Sequence, residues 1–300
     1  MEPDYKLMIE ERGIQLYIPE EEEPDKDSEV FFNPRMKLNR DISVSAAQVF
    51  QREEDKELRI CEPFSASGIR GLRYINELKG VKEILLNDIS PTAVDKIEEN
   101  IKKNELEDER LIVTNKDANV LLSENKRRID YIDIDPFGSP APFLDSSARA
   151  LFREGFVGYT ATDLGPLCGT YKKTCLRRYS SKPVKNSFGH ETGLRILLKT
   201  IFEAFSRYDF NFRPLLSYYN EHYHRIFGKA YESKKGANRN LKNIGFMNYC
   251  SECGYRELED EKRKECPQCD SKMSSAGPLW IGKLGDPEFS HKVKKDLSSK

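Results

Sequence analysis

Short apolar, β-branched runs return at intervals of twenty-odd residues: LRIC near 60, EILL near 85, RLIVT near 112, YIDI near 132 and FVGYTAT near 158. Helical patterns fill several of the intervals. Ser90 stands as an N-cap before Pro91, and Val94, Ile97 and Ile101 then share one face. ETGLRILLKTIFEAFSRY sets Leu194, Leu197, Leu198, Ile201, Phe202 and Phe205 along a single stripe. Strand and helix in alternation build a doubly wound α/β domain on a mainly parallel sheet, whose ligands bind at the carboxyl ends of the strands. Beyond about residue 210 the pattern turns to aromatic, strand-like segments such as FRPLLSYYNEHYHRIF, and then to a cysteine-rich stretch. The expected division is therefore 1–210 and 211–300.

A chain of 300 residues has room for that domain and an appendage. No apolar run approaches the roughly 18 residues of a membrane span, and MEPDYKLMIEERG is too acidic for a signal or transit peptide. A cytosolic protein without a membrane or an obligate protein partner is the expectation. Net charge is −1, but the charge is unevenly spread. Residues 20–29 carry seven acids and one lysine, which reads as a mobile loop, and the final SSK reads as frayed. YKKTCLRRYSSKPVK, 171–185, has six basic residues and no acid; Arg225 to Lys242 has six basics and one acid. Both runs are interleaved with aromatics, the mark of an RNA-facing surface, although either alone is equally a solvated loop.

The strand tips carry the chemistry. The first strand runs into CEPFSASGIRG, where Ser67, Gly68 and Gly71 occupy the turn before a helix. Glycine there lets a ligand approach the backbone, yet the spacing is not the G-x-G-x-x-G dinucleotide fingerprint, so no pyrophosphate is demanded. Asp88 ends the second strand, twenty residues after Gly68, where an acid can accept from ribose hydroxyls. Asp117, before Ala118, ends the third and can accept from an adenine amine. Each acid alone is as well explained by capping the next helix. Together they point to an adenosine-containing ligand without phosphates, and S-adenosylmethionine fits.

The fourth strand brings Asp133 and Asp135 to the same edge and closes in Asp135-Pro136-Phe137-Gly138. An exocyclic amine on a nucleobase is a poor nucleophile because its lone pair is delocalised into the ring. A carboxylate and a backbone carbonyl accepting its two N–H bonds would orient it; proline fixes the backbone, and an aromatic stacks on an extruded base. The bland alternative is an Asp-Pro turn over a buried phenylalanine.

Cys250-x-x-Cys253 and Cys266-x-x-Cys269 are two knuckles twelve residues apart. Four thiolates in two tight pairs suit a closed, structural zinc site. A zinc base deaminase also uses P-C-x-x-C but needs a His-x-Glu partner, whereas His190 is followed directly by Glu191. Cys61, Cys168 and Cys175 read as small buried hydrophobes. His222 and His224, two apart with no third ligand in view, read as surface or RNA-contact residues.

FFNPRMKLNRD (31–41), EPFSASGIRGLR (62–73), LNDIS (86–90), DIDPFGSP (133–140), ATDLGPLCG (161–169), HETGLRIL (190–197) and GPLW (277–280) together resemble the archaeal type of the tRNA guanine-26 N2-dimethyltransferase family. The match runs in order from about residue 30 to 285. It implies a Rossmann-like class I S-adenosylmethionine-dependent methyltransferase fold, with a smaller C-terminal α+β region that carries the zinc knuckle and binds tRNA. It further implies that Arg40 and Arg70 help hold the cofactor, Asp88 its ribose, Asp117 and Ala118 its adenine, with Asp133 bordering it. Asp135 becomes the catalytic acceptor, and Pro136 and Phe137 complete the guanine pocket. His190 and Glu191 lie behind the site or face RNA. Members of that family continue well beyond GPLW, whereas this chain ends twenty residues after Trp280. From the residues themselves two other readings stay open: an amino methyltransferase for another base or a protein amide, and a non-catalytic RNA-binding module.

Overall fold

The computed structural model describes residues 7–18 and 31–299, so the acidic run at 20–29 lies outside the described residues. The chain begins with a hairpin, β1 (Leu7–Glu11) and β2 (Ile14–Ile18), paired antiparallel through Glu11↔Ile14. Its two-residue turn has Arg12 and Gly13 both at positive φ, the backbone that tight hairpins require. Helix α1 (Lys37–Glu54) then leads into the alternating part: β3 (Leu58–Glu62), α2 (Ile69–Glu77), β4 (Val81–Asn87), α3 (Pro91–Lys103), β5 (Leu111–Thr114), α4 (Ala118–Glu124) and β6 (Ile129–Ile134). Next come α5 (Leu144–Ala150), β7 (Leu151–Ala161), α6 (Leu164–Leu167), α7 (Lys172–Tyr179) and α8 (Gly189–Ser206). The hairpin β8 (Phe210–Asn220) and β9 (Tyr223–Glu232) follows, then α9 (Lys234–Asn240), β10 (Ile244–Cys250), β11 (Arg256–Glu259), β12 (Met273–Trp280) and α10 (Pro287–Ser298).

Seven of these strands share one sheet in the order β5-β4-β3-β6-β7-β9-β8, and three form a second, β11-β10-β12. The pairs β5/β4, β4/β3 and β3/β6 are parallel, as the alternation predicts, while β8 and β9 are antiparallel. Every residue of β6 is buried, the mark of a strand covered on both faces. Register sets the chemistry: Ile60 lies opposite Tyr131 and Cys61 opposite Ile132, so the next step along brings Glu62 alongside Asp133.

Among the described residues, compact packing gathers those up to 135, 149–158 and 291–299 into one unit and 136–148 with 159–290 into another, a different line from the pattern change at 210. In the first unit α3 follows its sequence signature. Ser90 Oγ accepts from Ala93 N–H at 3.4 Å, Pro91 opens the helix, and Ile97 and Ile101 face inward. Gly71 of α2 has no room for a Cβ beside the Leu86 side chain, so helix and sheet approach closely there. The end of α10 also belongs to this unit. Of the terminal SSK, Lys300 lies outside the described residues, while the helix reaches Ser298, Arg52 pairs with Asp296, and Ser299 N–H donates to Asp296 O at 3.2 Å.

In the second unit the apolar stripe of α8 is buried throughout, from Leu194 to Phe205. Arg195 in the same helix donates to Trp280 O and Gly282 O, both at 3.0 Å, and ties the segment after β12 to α8. The basic run from Arg225 divides. Arg225 itself is fully buried, donating to Thr160 Oγ1 at 2.9 Å with its guanidinium over Phe227, so only Lys234, Lys235, Arg239 and Lys242 remain as an exposed basic face.

Candidate active site

Arg70, in the first turn of α2, is the hub of the first unit's strand tips. Its Nη1 lies 3.2 Å from Asp133 and 3.6 Å from Glu62; its Nη2 pairs with Asp135 and donates to Asn39 Oδ1 at 3.2 Å. Asp133 also accepts from Tyr131 Oη at 2.7 Å and Tyr74 Oη at 2.9 Å, which fixes its plane. Three carboxylates therefore face one guanidinium. Burial is the largest influence on Glu62 and pushes its carboxyl up to about 8; Arg70 opposes this, Asp133 and Asp135 add to it, and the Gly71 N–H lowers it. One oxygen of Glu62, Nδ2 of Asn39 and Nε of Arg70 are buried with no hydrogen-bond partner among the described residues. Buried polar atoms are seldom left so. Carboxylates in excess, beside an amide and a guanidinium with donors to spare, fit a ligand that carries positive charge and a carboxylate of its own, as the methionine end of S-adenosylmethionine does.

The turn after β3 is pinned by hydrogen bonds. Gly68, the N-cap of α2, has φ +79°, and its N–H donates to Ser65 O at 2.7 Å; Ser67 O accepts from Asn100 at 3.0 Å. Asp88 accepts from Ala66 N–H at 2.9 Å and from Ser90 N–H at 3.0 Å, so it ties this loop to the tip of β4 rather than capping α3. Asp117 does cap its helix, accepting from the N–H groups of Asn119 and Val120, and it is exposed. Ala118 behind it is buried. Ile89, next to Asp88, is 70% exposed, an apolar face that strand periodicity did not single out. Arg40 is engaged elsewhere: its guanidinium pairs with Glu11, lies over the Phe32 ring and donates to Asn33 O at 3.2 Å. Glu11 also pairs with Arg73. Nothing in the sequence marked Glu11, because a lone acid at a strand end carries no periodic signal.

Pro136 is buried, whereas Phe137 is 55% exposed at the surface of the second unit. An exposed phenylalanine argues against the bland reading of a turn over a buried ring. Gly138, at φ +78°, donates to Thr162 Oγ1 at 2.7 Å and accepts from Thr162 N–H at 2.9 Å. A cavity of about 510 Å³ opens beside this turn, lined by Phe137, Ser139, Phe143 and Arg178 among others. Two of its lining residues, Ser139 and Arg178, are joined by a chain: Ser139 Oγ meets Tyr179 Oη at 2.6 Å, Tyr179 donates to Asp163 at 2.7 Å, and Arg178 donates to the other Asp163 oxygen at 3.0 Å. Phe143, Arg178 and Asp163 escaped sequence reading because folding, not spacing, assembles them. Outside this wall, α7 presents Lys172, Lys173 and Arg177 to solvent with Tyr171 and Leu176, the composition expected of an RNA-facing surface.

The cysteine quartet closes as its spacing predicts. Cys250 Sγ lies 3.6 Å from Cys269 Sγ and Cys253 Sγ 3.5 Å from Cys266 Sγ, and all four lie within 4.8 Å of one another. Thiolates tetrahedral about zinc stand roughly 3.8 Å apart, so the set fits that ion without rearrangement. The knuckles turn at Gly254 and Asp270, both at positive φ, and the second sheet holds them. Two expectations fail here. Cys168 is half-buried beside His190 rather than a buried hydrophobe, and His224 is not a surface residue: it is fully buried and packed against His190, while His222 alone faces solvent.

Comparison with known proteins agrees with this geometry. The family model described as N2,N2-dimethylguanosine tRNA methyltransferase matches residues 14–300. A tRNA (guanine(26)-N(2))-dimethyltransferase of Methanobrevibacter smithii is 40% identical over 99% of this chain and 77% of its own length. A tRNA (guanine(26)-N(2)/guanine(27)-N(2))-dimethyltransferase of Aquifex aeolicus is 37% identical over 95% of this chain and 74% of its own. The structure of Trm1 from Pyrococcus horikoshii in complex with S-adenosyl-L-methionine superposes with a TM-score of 0.86 at 33% identity, covering 98% of this chain and 78% of that one. With strand tips, turn and cysteine quartet in place and a family match over nearly the whole length, the chain belongs to the N2,N2-dimethylguanosine tRNA methyltransferase family.

Proposed function

We propose that this protein acts in the cytosol and transfers methyl groups from S-adenosyl-L-methionine to the exocyclic N2 amine of guanine 26 in tRNA. The observation that carries the reading is Asp135, a carboxylate at a strand end that Arg70 holds within a cluster of acids. The chain continues from it directly into Pro136 and an exposed Phe137. Asp135 accepts one N–H of the amine and a backbone carbonyl of the D-P-F-G turn accepts the other, which orients the nitrogen lone pair out of conjugation. The proton that the amine sheds on alkylation passes to the Asp135 carboxylate. Phe137, two residues on along the chain, stacks on the extruded base. Most of the acceleration comes from positioning, which contributes roughly 7–11 kcal/mol in well-oriented reactions.

The residues suit the cofactor as follows. Arg70 and Asn39 take its carboxylate, Glu62 and Asp133 its ammonium, Asp88 its ribose hydroxyls, and Asp117 with the backbone at Ala118 its adenine amine. Ser67 and Gly68 let it approach the loop, Ile89 offers the adenine a face, and Arg40, held by Glu11, braces the helix that carries Asn39. Bound, S-adenosyl-L-methionine supplies a methyl group already activated by the sulfonium. The basic face of α7 and the region 211–300 with its zinc knuckle contact the tRNA.

Transcripts with guanine or inosine at position 26 test this, because inosine lacks only the N2 amine. Methyl incorporation is expected with guanine and absent with inosine. Equal incorporation would overturn the N2 amine at position 26 as the acceptor.

A further inference from the structure

Cys168, at the C-terminal end of α6, His190, in the first turn of α8, and His224, near the start of β9, converge in the second unit. Cys168 Sγ lies 3.7 Å from His190 Nδ1, which lies 3.3 Å from His224 Nε2, and the three atoms fall within 4.8 Å of one another. For a tetrahedral zinc-type ion the corresponding separations are about 3.6 Å between sulfur and nitrogen and about 3.3 Å between nitrogens. The rings are set independently of any ion. His190 stacks on Tyr219 with centroids 4.1 Å apart and planes 3° apart, and Tyr219 is the cross-strand partner of His224. A Cβ at Gly193 would strike the His224 ring, so glycine at that helical position opens the notch in which the imidazole sits.

We infer that Cys168, His190 and His224 form a second metal site, binding a zinc-class divalent cation through Sγ, Nδ1 and Nε2 and leaving a fourth coordination position for an oxygen ligand. Binding replaces the thiol proton of Cys168 with a sulfur–metal bond, and that proton leaves to solvent. The set is of mixed sulfur and nitrogen type, which favours zinc, cobalt or copper over magnesium or calcium. It is separate from the four-cysteine knuckle in ligands and in kind, since three protein ligands leave the site open whereas four close it.

The full-length protein, loaded with excess zinc and desalted, is expected to hold about two equivalents per chain by elemental analysis, and Cys168→Ser and His224→Asn about one. One equivalent in the wild type, or two in both variants, would overturn the site and leave a purely hydrogen-bonded cluster. Should the variants fail to fold, the wild type decides. When a mild chelator has removed one equivalent, peptide mapping is expected to find Cys168 newly alkylated while Cys250, Cys253, Cys266 and Cys269 stay protected. Cys168 equally reactive before and after chelation would refute the proposal.

Discussion

Glu62 shows how one buried carboxyl couples the cofactor cluster to pH. Its carboxyl sits at about 8, above the ordinary value of 4.5, chiefly through burial. Between those values the folded protein binds more protons than the unfolded chain, so the ligand-free protein loses stability as pH rises from 4.5 to about 8. Thermal melts of Glu62→Gln are expected to lack that loss, and the variant is expected to melt higher than the wild type at pH 8. A cationic ligand favours the ionised acid, so calorimetry at pH 7 in buffers of different ionisation enthalpy is expected to show proton release on cofactor binding, abolished in Glu62→Gln. Phe137 makes a second test. Because its ring is exposed, Phe137→Ala is expected to fold normally yet lose about 5- to 150-fold in kcat/KM for tRNA, the worth of one base stack. Asp135 and Phe137 were legible in the sequence because one turn carries both. Glu62, Arg178 and His224 were not, because folding rather than periodic spacing brings each to its partner, at Arg70, Asp163 and His190.

Among the elements, the parallel strands and α3 were readable from period and caps, whereas β1 and β2 were not: each has only five residues, and the pair depends on one Arg-Gly turn. The zinc knuckle was readable because its ligand spacing is itself the constraint. Cys250 and Cys266 lie in a small cluster with Met273 and Tyr255, a core too slight to hold the two knuckles unaided. Chelation or Cys266→Ser is expected to open 250–273 to limited proteolysis while cofactor binding persists; unchanged resistance with no bound metal would contradict a structural ion. For α7, Lys172→Ala, Lys173→Ala and Arg177→Ala combined are expected to flatten the dependence of log affinity for tRNA on log salt by about two units, with little change in cofactor affinity. An unchanged slope would remove this helix from the RNA contact.

At the scale of the molecule, the sheet accounts for why the family could be recognised from scattered motifs. Parallel strands end on one edge, so segments far apart in sequence, 62–73, 86–90 and 133–135, meet there in the order that doubly wound connections dictate. A net charge of −1 predicts nothing about an RNA partner, because it averages over local basic faces such as those on α7 and after β9. No helix among the described residues is long and apolar enough to cross a membrane. Asp135 remains the point on which the chemistry turns. The decisive measurement is mass spectrometry of nucleosides from unmodified tRNA after a single turnover with cofactor-saturated wild type and Asp135→Ala. N2-methylated guanosine is predicted from the wild type and a loss of about 10²- to 10⁴-fold in the variant, with cofactor binding retained. Undiminished methylation by Asp135→Ala, or methyl groups on a nucleoside other than guanosine, would contradict the account.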